Sequence, residues 1–245
     1  MVNACMPNNY FQFKQFTVYQ DKCAMKVTTD GCLFGAYVNN TIQHCTTNIA
    51  HTLDIGAGTG LLSLMIAQAN SFLIDAVEID ANAYEQAEDN FDRSPWKERL
   101  TVFNSDILEF QSAIKYDCII SNPPFFEDDL RSDNEQKNKA KHDSSLTLQA
   151  LIKVVENKLS VDGIFFVLLP YHRIHYFETE ANKMGLYPEE KLLVKQTSTH
   201  DFFRGCLSFS RKKKQTVTSQ LTIKNSEGNY TDEFILLMKD YYLHL

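Results

Sequence analysis

The tetrapeptide Asn122-Pro123-Pro124-Phe125 gathers more chemical function than any other short stretch of this chain. Asparagine supplies a side-chain oxygen that accepts hydrogen bonds, and the main-chain carbonyl of Pro123 is a second acceptor beside it. The two prolines remove two backbone donors and stiffen the turn, so that Asn122 is held in place. Two acceptors on a stiff corner suit a group with two N–H bonds to give, such as an amine on a planar ring. Accepting both hydrogens draws the nitrogen towards tetrahedral geometry and localises a lone pair that the ring otherwise delocalises. Phe125 can stack on the ring, a contact worth about 1–3 kcal/mol. No strong base is required, because the amine loses its proton only as its new bond forms. Positioning for in-line transfer supplies much of the rate.

A second constellation is Leu53-Asp-Ile-Gly-Ala-Gly-Thr-Gly60. Glycines at 56, 58 and 60 let the backbone pass close to a ligand. A helix opening directly after them offers free N–H groups to a carboxylate or phosphate. The dinucleotide fingerprint G-x-G-x-x-G would require glycine where Leu61 stands, and it fails here. Glu78-Ile79-Asp80 closes the next apolar stretch, the position from which a carboxylate accepts hydrogen bonds from ribose hydroxyls.

Both motifs need a frame. Periodicity predicts strands over 51–55, 72–79, 100–104, 116–121, 164–169, 191–196 and 205–210, with 221–224 opening a C-terminal tail. It predicts helices over 33–45, 61–69, 81–91, 146–159, 172–184 and 232–242, with 161–163 as a turn. Residues 13–27 read as a strand or hairpin. Strands separated by helices of this length indicate βαβ units, hence a parallel sheet covered on both faces. Ligands in such sheets bind at the carboxyl ends of the strands, which is where both motifs fall.

The glycine segment, with Asp54 in the strand before it, resembles motif I of the S-adenosylmethionine-dependent methyltransferases. Ser105-Asp106-Ile107 matches the place where those enzymes hydrogen-bond the adenine amino group of the methyl donor. Asn122 to Phe125 resembles motif IV of the amino-methyltransferases that act on adenine N6, cytosine N4, guanine N2 or glutamine amides. Phe13-Lys-Gln-Phe-Thr-Val18, Cys23-Ala-Met-Lys-Val27 and Thr29-Asp-Gly-Cys-Leu-Phe-Gly-Ala-Tyr37 are similar to the N-terminal signature of the bacterial tRNA1(Val) adenine-37 N6-methyltransferase family. Tyr230-Thr-Asp-Glu-Phe234 and Leu237-Met-Lys-Asp-Tyr-Tyr-Leu243 are similar to its ending, so the resemblance runs over nearly the whole chain.

That resemblance implies a Rossmann-like class I methyltransferase fold: a seven-stranded, mostly parallel sheet with its last strand reversed and helices on both faces. Residues 1–45 would be an extension covering the cofactor site and 46–245 the methyltransferase domain. It implies transfer of a methyl group from S-adenosylmethionine to adenine N6 in a tRNA anticodon loop. Catalysis would fall to Asn122, Pro123, Pro124 and Phe125. The donor would be bound by Asp54, Gly56, Gly58, Gly60, Glu78, Ile79, Asp80, Asp106, Ile107 and Asn122, with Lys26 and Asp30 from the N-terminal signature. For Asp30 a plain turn that caps the following helix fits equally well.

The tRNA contacts would come from Lys141, His142, Arg204, Arg211, Lys212 and Lys213. Lys141 stands where the family has arginine, which removes the bidentate fork. The polar stretch 127–142 also reads as a solvated lid, and the basic block 211–214 as a solvated loop. His200, Phe202 and Phe203 could stack on bases, or the two phenylalanines could be core or a sheet edge.

Composition sets bounds. The 245 residues carry 24 Lys and Arg against 31 Asp and Glu, a formal net charge of −7, so any RNA contact rests on local patches. An apolar share of 44% supports a globular core. Six cysteines without a C-x-x-C pair argue against a zinc site or a disulfide framework, and for a reducing, cytoplasmic setting. No apolar run is long enough for a membrane helix. The expected partner is tRNA, with no membrane and no metal, and a monomer is assumed.

Rival readings are methylation of a glutamine in a protein such as a release factor, methylation of guanine N2 in ribosomal RNA, and a non-catalytic RNA-binding scaffold. The glutamine enzymes carry a longer N-terminal domain than the fifty or so residues that precede the first core strand here.

Overall fold

The computed structural model describes residues 8–45, 47–124 and 146–245. A short antiparallel hairpin, β1 (Tyr10–Gln12) and β2 (Thr17–Tyr19), precedes α1 (Thr29–His44). Then follow β3 (His51–Ile55), α2 (Leu61–Ala69), β4 (Leu73–Glu78), α3 (Ala81–Asp92), β5 (Leu100–Asn104) and β6 (Tyr116–Ser121). The second half contains α4 (Leu148–Lys158), β7 (Leu159–Pro170), α5 (Ile174–Lys183), β8 (Tyr187–Thr197), β9 (Phe202–Ser210), β10 (Val217–Lys224) and α6 (Asp232–Met238).

The main sheet has the order β10-β8-β9-β7-β6-β3-β4-β5. Seven of these strands make the expected core, with β9 antiparallel to both β7 and β8. The eighth, β10, was expected only as a four-residue tail. It extends the sheet by pairing in parallel with β8 from Val217 to Lys224. Its first four residues, Val217 to Gln220, are all exposed and three of them are polar, so periodicity could not reveal it. The anticipated turn at 161–163 is instead an irregular opening of β7. The ladder steps from Tyr116↔Leu159 to Cys118↔Ile164, leaving the residues between them looped out of register.

Alternation along the central strands divides the interior into two cores. Ile164, Phe166 and Leu168 of β7 join one core with α1, α2, Phe91 and Phe234, whereas Phe165, Val167 and Leu169 join the other with α4 and Phe177. A strand buried on both sides must read as an unbroken apolar run, which is what 164–169 is. α1 starts at Thr28, whose hydroxyl accepts from the Gly31 N–H, so Thr28 is the cap and Asp30 lies inside the first turn. Among the described residues no helix is long and apolar enough to cross a membrane.

Candidate active site

Register places the two motifs side by side. Ile55 pairs with Ser121 on one side and with Val77 on the other, so Gly56, Asn122 and Glu78 are the next residues on three adjacent strands. The Ser121 hydroxyl donates to the Ile55 carbonyl at 3.0 Å and fastens this edge.

The glycine bend is strained for any other residue at three points, with φ of +76° at Gly56, +56° at Gly58 and +78° at Gly60. At Gly60 a Cβ would also come within 2.6 Å of the Phe91 ring. At Gly56 and Gly58 it would enter open space, so the bend leaves room for a ligand there. The Gly58 N–H donates to Glu78 Oε2 at 2.8 Å, and the Asp80 N–H donates to Glu78 Oε1 at 2.9 Å. Glu78 is thus a fixed carboxylate, 9% exposed, with lone pairs remaining on both oxygens.

Its neighbours behave differently from expectation. The Asp80 carboxylate accepts from the Ala83 N–H through Oδ1 and caps α3. Ile79 is 57% exposed and can cover a ligand. Asp106 Oδ1 accepts from the Leu108 N–H, closing the turn after β5. The Ile107 side chain is buried in the second core, which leaves only its main chain for a cofactor.

Two acceptors stand out. Asp54 is fully buried; Oδ2 accepts from the Ser63 hydroxyl at 2.7 Å, while Oδ1 has no partner among the described residues. Burial pushes its carboxyl up to about 7, only partly opposed by the Ser63 hydrogen bond. Asn122 Oδ1 is likewise buried and without a partner among the described residues. Pro123 is buried and Pro124 exposed. Phe125, Lys141 and His142 lie outside the described residues.

The N-terminal segment leans on this edge. A Cβ added at Gly31 would lie 3.5 Å from the Leu61 side chain and 4.0 Å from Asn122 Nδ2. Asp30 Oδ2 accepts from Arg204 Nε at 2.8 Å, so two expected binding residues hold each other, joining α1 to β9. Lys26 Nζ donates to the Gln20 carbonyl, tying the loop between β2 and α1 to itself.

Sequence reasoning missed Asn90, the residue that docks this segment. Asn90 Nδ2 donates to the Tyr19 and Thr59 carbonyls at 2.8 Å each, and its Oδ1 accepts from the Tyr19 N–H. One amide thereby holds both β2 and the glycine bend. A polar residue on the inward face of α3, between Ala87 and Phe91, was the available signal.

The basic block does not belong to this site. β9 runs opposite to β7, with Arg204 level with Pro170 and Ser210 level with Ile164. Arg211, Lys212 and Lys213 therefore emerge at the far edge of the sheet, roughly 20 Å from Arg204 at about 3.4 Å per residue. Arg211 donates to the Glu156 and Leu159 carbonyls, capping α4, and Lys212 pairs with Asp162 at 2.7 Å. Lys213 lies over the Tyr187 ring.

Comparison with known proteins decides the family. The methyltransferase small domain family matches residues 39–172. A Flavobacterium psychrophilum protein named tRNA1(Val) (adenine(37)-N6)-methyltransferase is 43% identical, covering 96% of this chain and 100% of its own length. The chain belongs to that family. A Photorhabdus laumondii relative of the same name is 41% identical over 96% of this chain and 95% of its own length. Among solved structures, a predicted O-methyltransferase of Agrobacterium tumefaciens aligns with a TM-score of 0.62 at 15% identity, over 86% of this chain and 96% of that one. The glycopeptide N-methyltransferase MtfA, solved with S-adenosylmethionine, aligns with a TM-score of 0.54 at 9% identity, over 72% and 93% of the two chains. These two show the fold alone.

S-adenosylmethionine is the methyl donor of this methyltransferase family, and the edge fits it. Open space at Gly56 and Gly58, the fixed Glu78 carboxylate and the unpartnered Asp54 Oδ1 suit a molecule with hydroxyls and positive charge. The oxygens of Asp54 and Asn122 that have no partner among the described residues are the strongest part of the fit, because buried acceptors without a partner are rare in folded proteins.

Proposed function

We propose that the chain transfers a methyl group from S-adenosylmethionine to the exocyclic N6 of an adenine in a tRNA anticodon loop, adenine 37 of tRNA1(Val). One observation carries the reading: Asn122 Oδ1 is a buried acceptor without a partner among the described residues, one strand from the glycine bend. The family relationship supports the substrate.

When bound, the donor supplies a methyl carbon on a positively charged sulfur. Glu78 would hold its ribose hydroxyls, Asp106 its adenine amino group, and the bend from Gly56 to Gly60 its amino-acid end. Asn122 Oδ1 accepts one N6–H of the target and the Pro123 carbonyl accepts the other. The pair would orient the nitrogen lone pair for in-line attack; as the C–N bond formed, the methyl–sulfur bond would break to leave S-adenosylhomocysteine, and the amine would give one proton to water. Phe125 is proposed to stack on the target base, which must be turned out of its loop to reach it.

Residues 1–45 are read as an extension that covers the cofactor, and 46–245 as the methyltransferase domain. The approach of Gly31 to Asn122 and the Asn90 tether support this. Five described cysteines are all free thiols, in keeping with a cytoplasmic setting.

The test is to incubate the chain with labelled donor and, separately, bulk tRNA, ribosomal RNA and a release factor. Label on tRNA, recovered as N6-methyladenosine, is the expected result. Label on the protein alone, or on guanine of ribosomal RNA, would overturn the substrate.

A further inference from the structure

β7 ends at Pro170 and turns at once through a single 3-10 turn, Tyr171–Arg173. Tyr171 stands at the edge of the sheet that holds Asn122, one strand further from the glycine bend. Because Ser121 pairs with Val167, Tyr171 and Asn122 are separated by on the order of 10 Å. Tyr171 is 43% exposed. Its centroid lies 5.3 Å from that of Phe202, with the planes inclined at 38°. Lys195 Nζ sits 4.7 Å from the centroid of Phe202. The three residues come from the ends of the neighbouring strands β7, β9 and β8, and together make a braced aromatic step with a cation beside it.

A defect in the ladder builds this step. Val194 pairs with Arg204 and Lys195 with Phe202, so Phe203 is an extra residue on β9. Bulges re-aim side chains and are common beside functional sites. Here Phe203 packs against the first core, under the Arg204 guanidinium, and Arg204 reaches Asp30. Phe202, next to it, meets Tyr171 instead.

We infer that Tyr171, braced by Phe202 and Lys195, is the platform on which an unpaired base of the RNA substrate stacks, flanking the adenine that Asn122 grips. The inference rests on the tRNA reading above. Single-stranded RNA is held by aromatic faces joined to positive charge, and this step offers both on the side of the sheet where a target base must arrive. In a chain of net charge −7, such a local placement of cation and ring is what a polyanion needs in order to dock.

The experiment measures methyl transfer to bulk tRNA by the full chain, with Tyr171→Leu, Tyr171→Phe and Lys195→Gln beside the unsubstituted protein. S-adenosylhomocysteine affinity and melting temperature are recorded for each. Tyr171→Leu is expected to raise KM for tRNA about tenfold, with kcat and S-adenosylhomocysteine affinity within about twofold. Tyr171→Phe, which keeps the aromatic face, restores KM to within about twofold, and Lys195→Gln raises it about threefold. An unchanged KM in Tyr171→Leu, or an equal rise in Tyr171→Phe, would overturn the platform and leave methylation standing. Absence of transfer to tRNA by the unsubstituted chain would overturn the parent reading, and the platform with it.

Discussion

At the carboxyl edge of the sheet, Asp54 and Asn122 each bury an oxygen that has no partner among the described residues. At the opposite edge the most strongly charged segment of the chain is spent on the protein itself. Arg211 caps α4, Lys212 pairs with Asp162 and Lys214 with Glu189. Leaving a buried polar group unpaired costs about 1–3 kcal/mol, whereas an exposed ion pair contributes little either way. The difference teaches that formal charge is a poor guide to where this molecule acts. A neutral amide whose oxygen meets no partner among the described residues marks the working edge, and four consecutive cations mark a structural seam.

The sharpest way to break that comparison is Asn122→Ala. If the unmet acceptor grips the substrate, kcat falls by on the order of a hundredfold or more, while calorimetry shows S-adenosylhomocysteine affinity changed by less than about threefold. A variant that keeps its turnover would put the chemistry elsewhere.

The buried carboxyl of Asp54 gives a pH signature. Unfolded, it ionises near the ordinary value of 3.8; folded, burial holds it protonated up to about 7. Between those limits the folded state carries the extra proton, so stability falls as pH rises from about 4 to about 7 and levels off above. Urea unfolding from pH 5 to pH 8 should show a loss of about 2–3 kcal/mol from this group. Asp54→Asn should flatten the slope; an unchanged slope would mean the carboxyl is already ionised.

Asn90→Asp keeps the acceptor for the Tyr19 N–H but removes both donors and sets an anion against two carbonyls. A loss of about 1–2 kcal/mol in stability is expected, with raised hydrogen exchange across β2 and the loop after it. Exchange confined to α3 would show that the tether does not hold the hairpin.

The smallest effect belongs to the far edge. Lys212→Glu with Lys213→Glu should change KM for tRNA by less than about twofold at physiological salt, once screening is accounted for. A tenfold rise there would make the basic block part of the RNA path and erase the contrast between the edges.

Much of this was legible from residues alone. β5, β6 and α2 begin and end where periodicity put them, because each is an apolar segment closed by turn residues. The bend at Gly56 to Gly60 and the Asn122 corner stand at strand ends, as their spacing required. The pairing of Asp30 with Arg204 joins residues 174 apart, and no local pattern encodes it. The same is true of the Asp80 cap: Glu78 and Asp80 look interchangeable as ribose ligands until one is seen facing the bend and the other turned into its helix.

Sequence by itself determined the chemistry available to this protein: an amide and a carbonyl on a proline corner, a glycine bend, and carboxylates at strand ends. Each depends on residue type and short spacing, which local sterics fix. The fold decided which groups remain for a ligand, because a hydrogen-bond valence is filled or left open by whatever packs against it from distant parts of the chain. Only tertiary packing could bind Arg204 to Asp30, carry the basic block to the wrong edge, and leave Asn122 Oδ1 without a partner among the described residues.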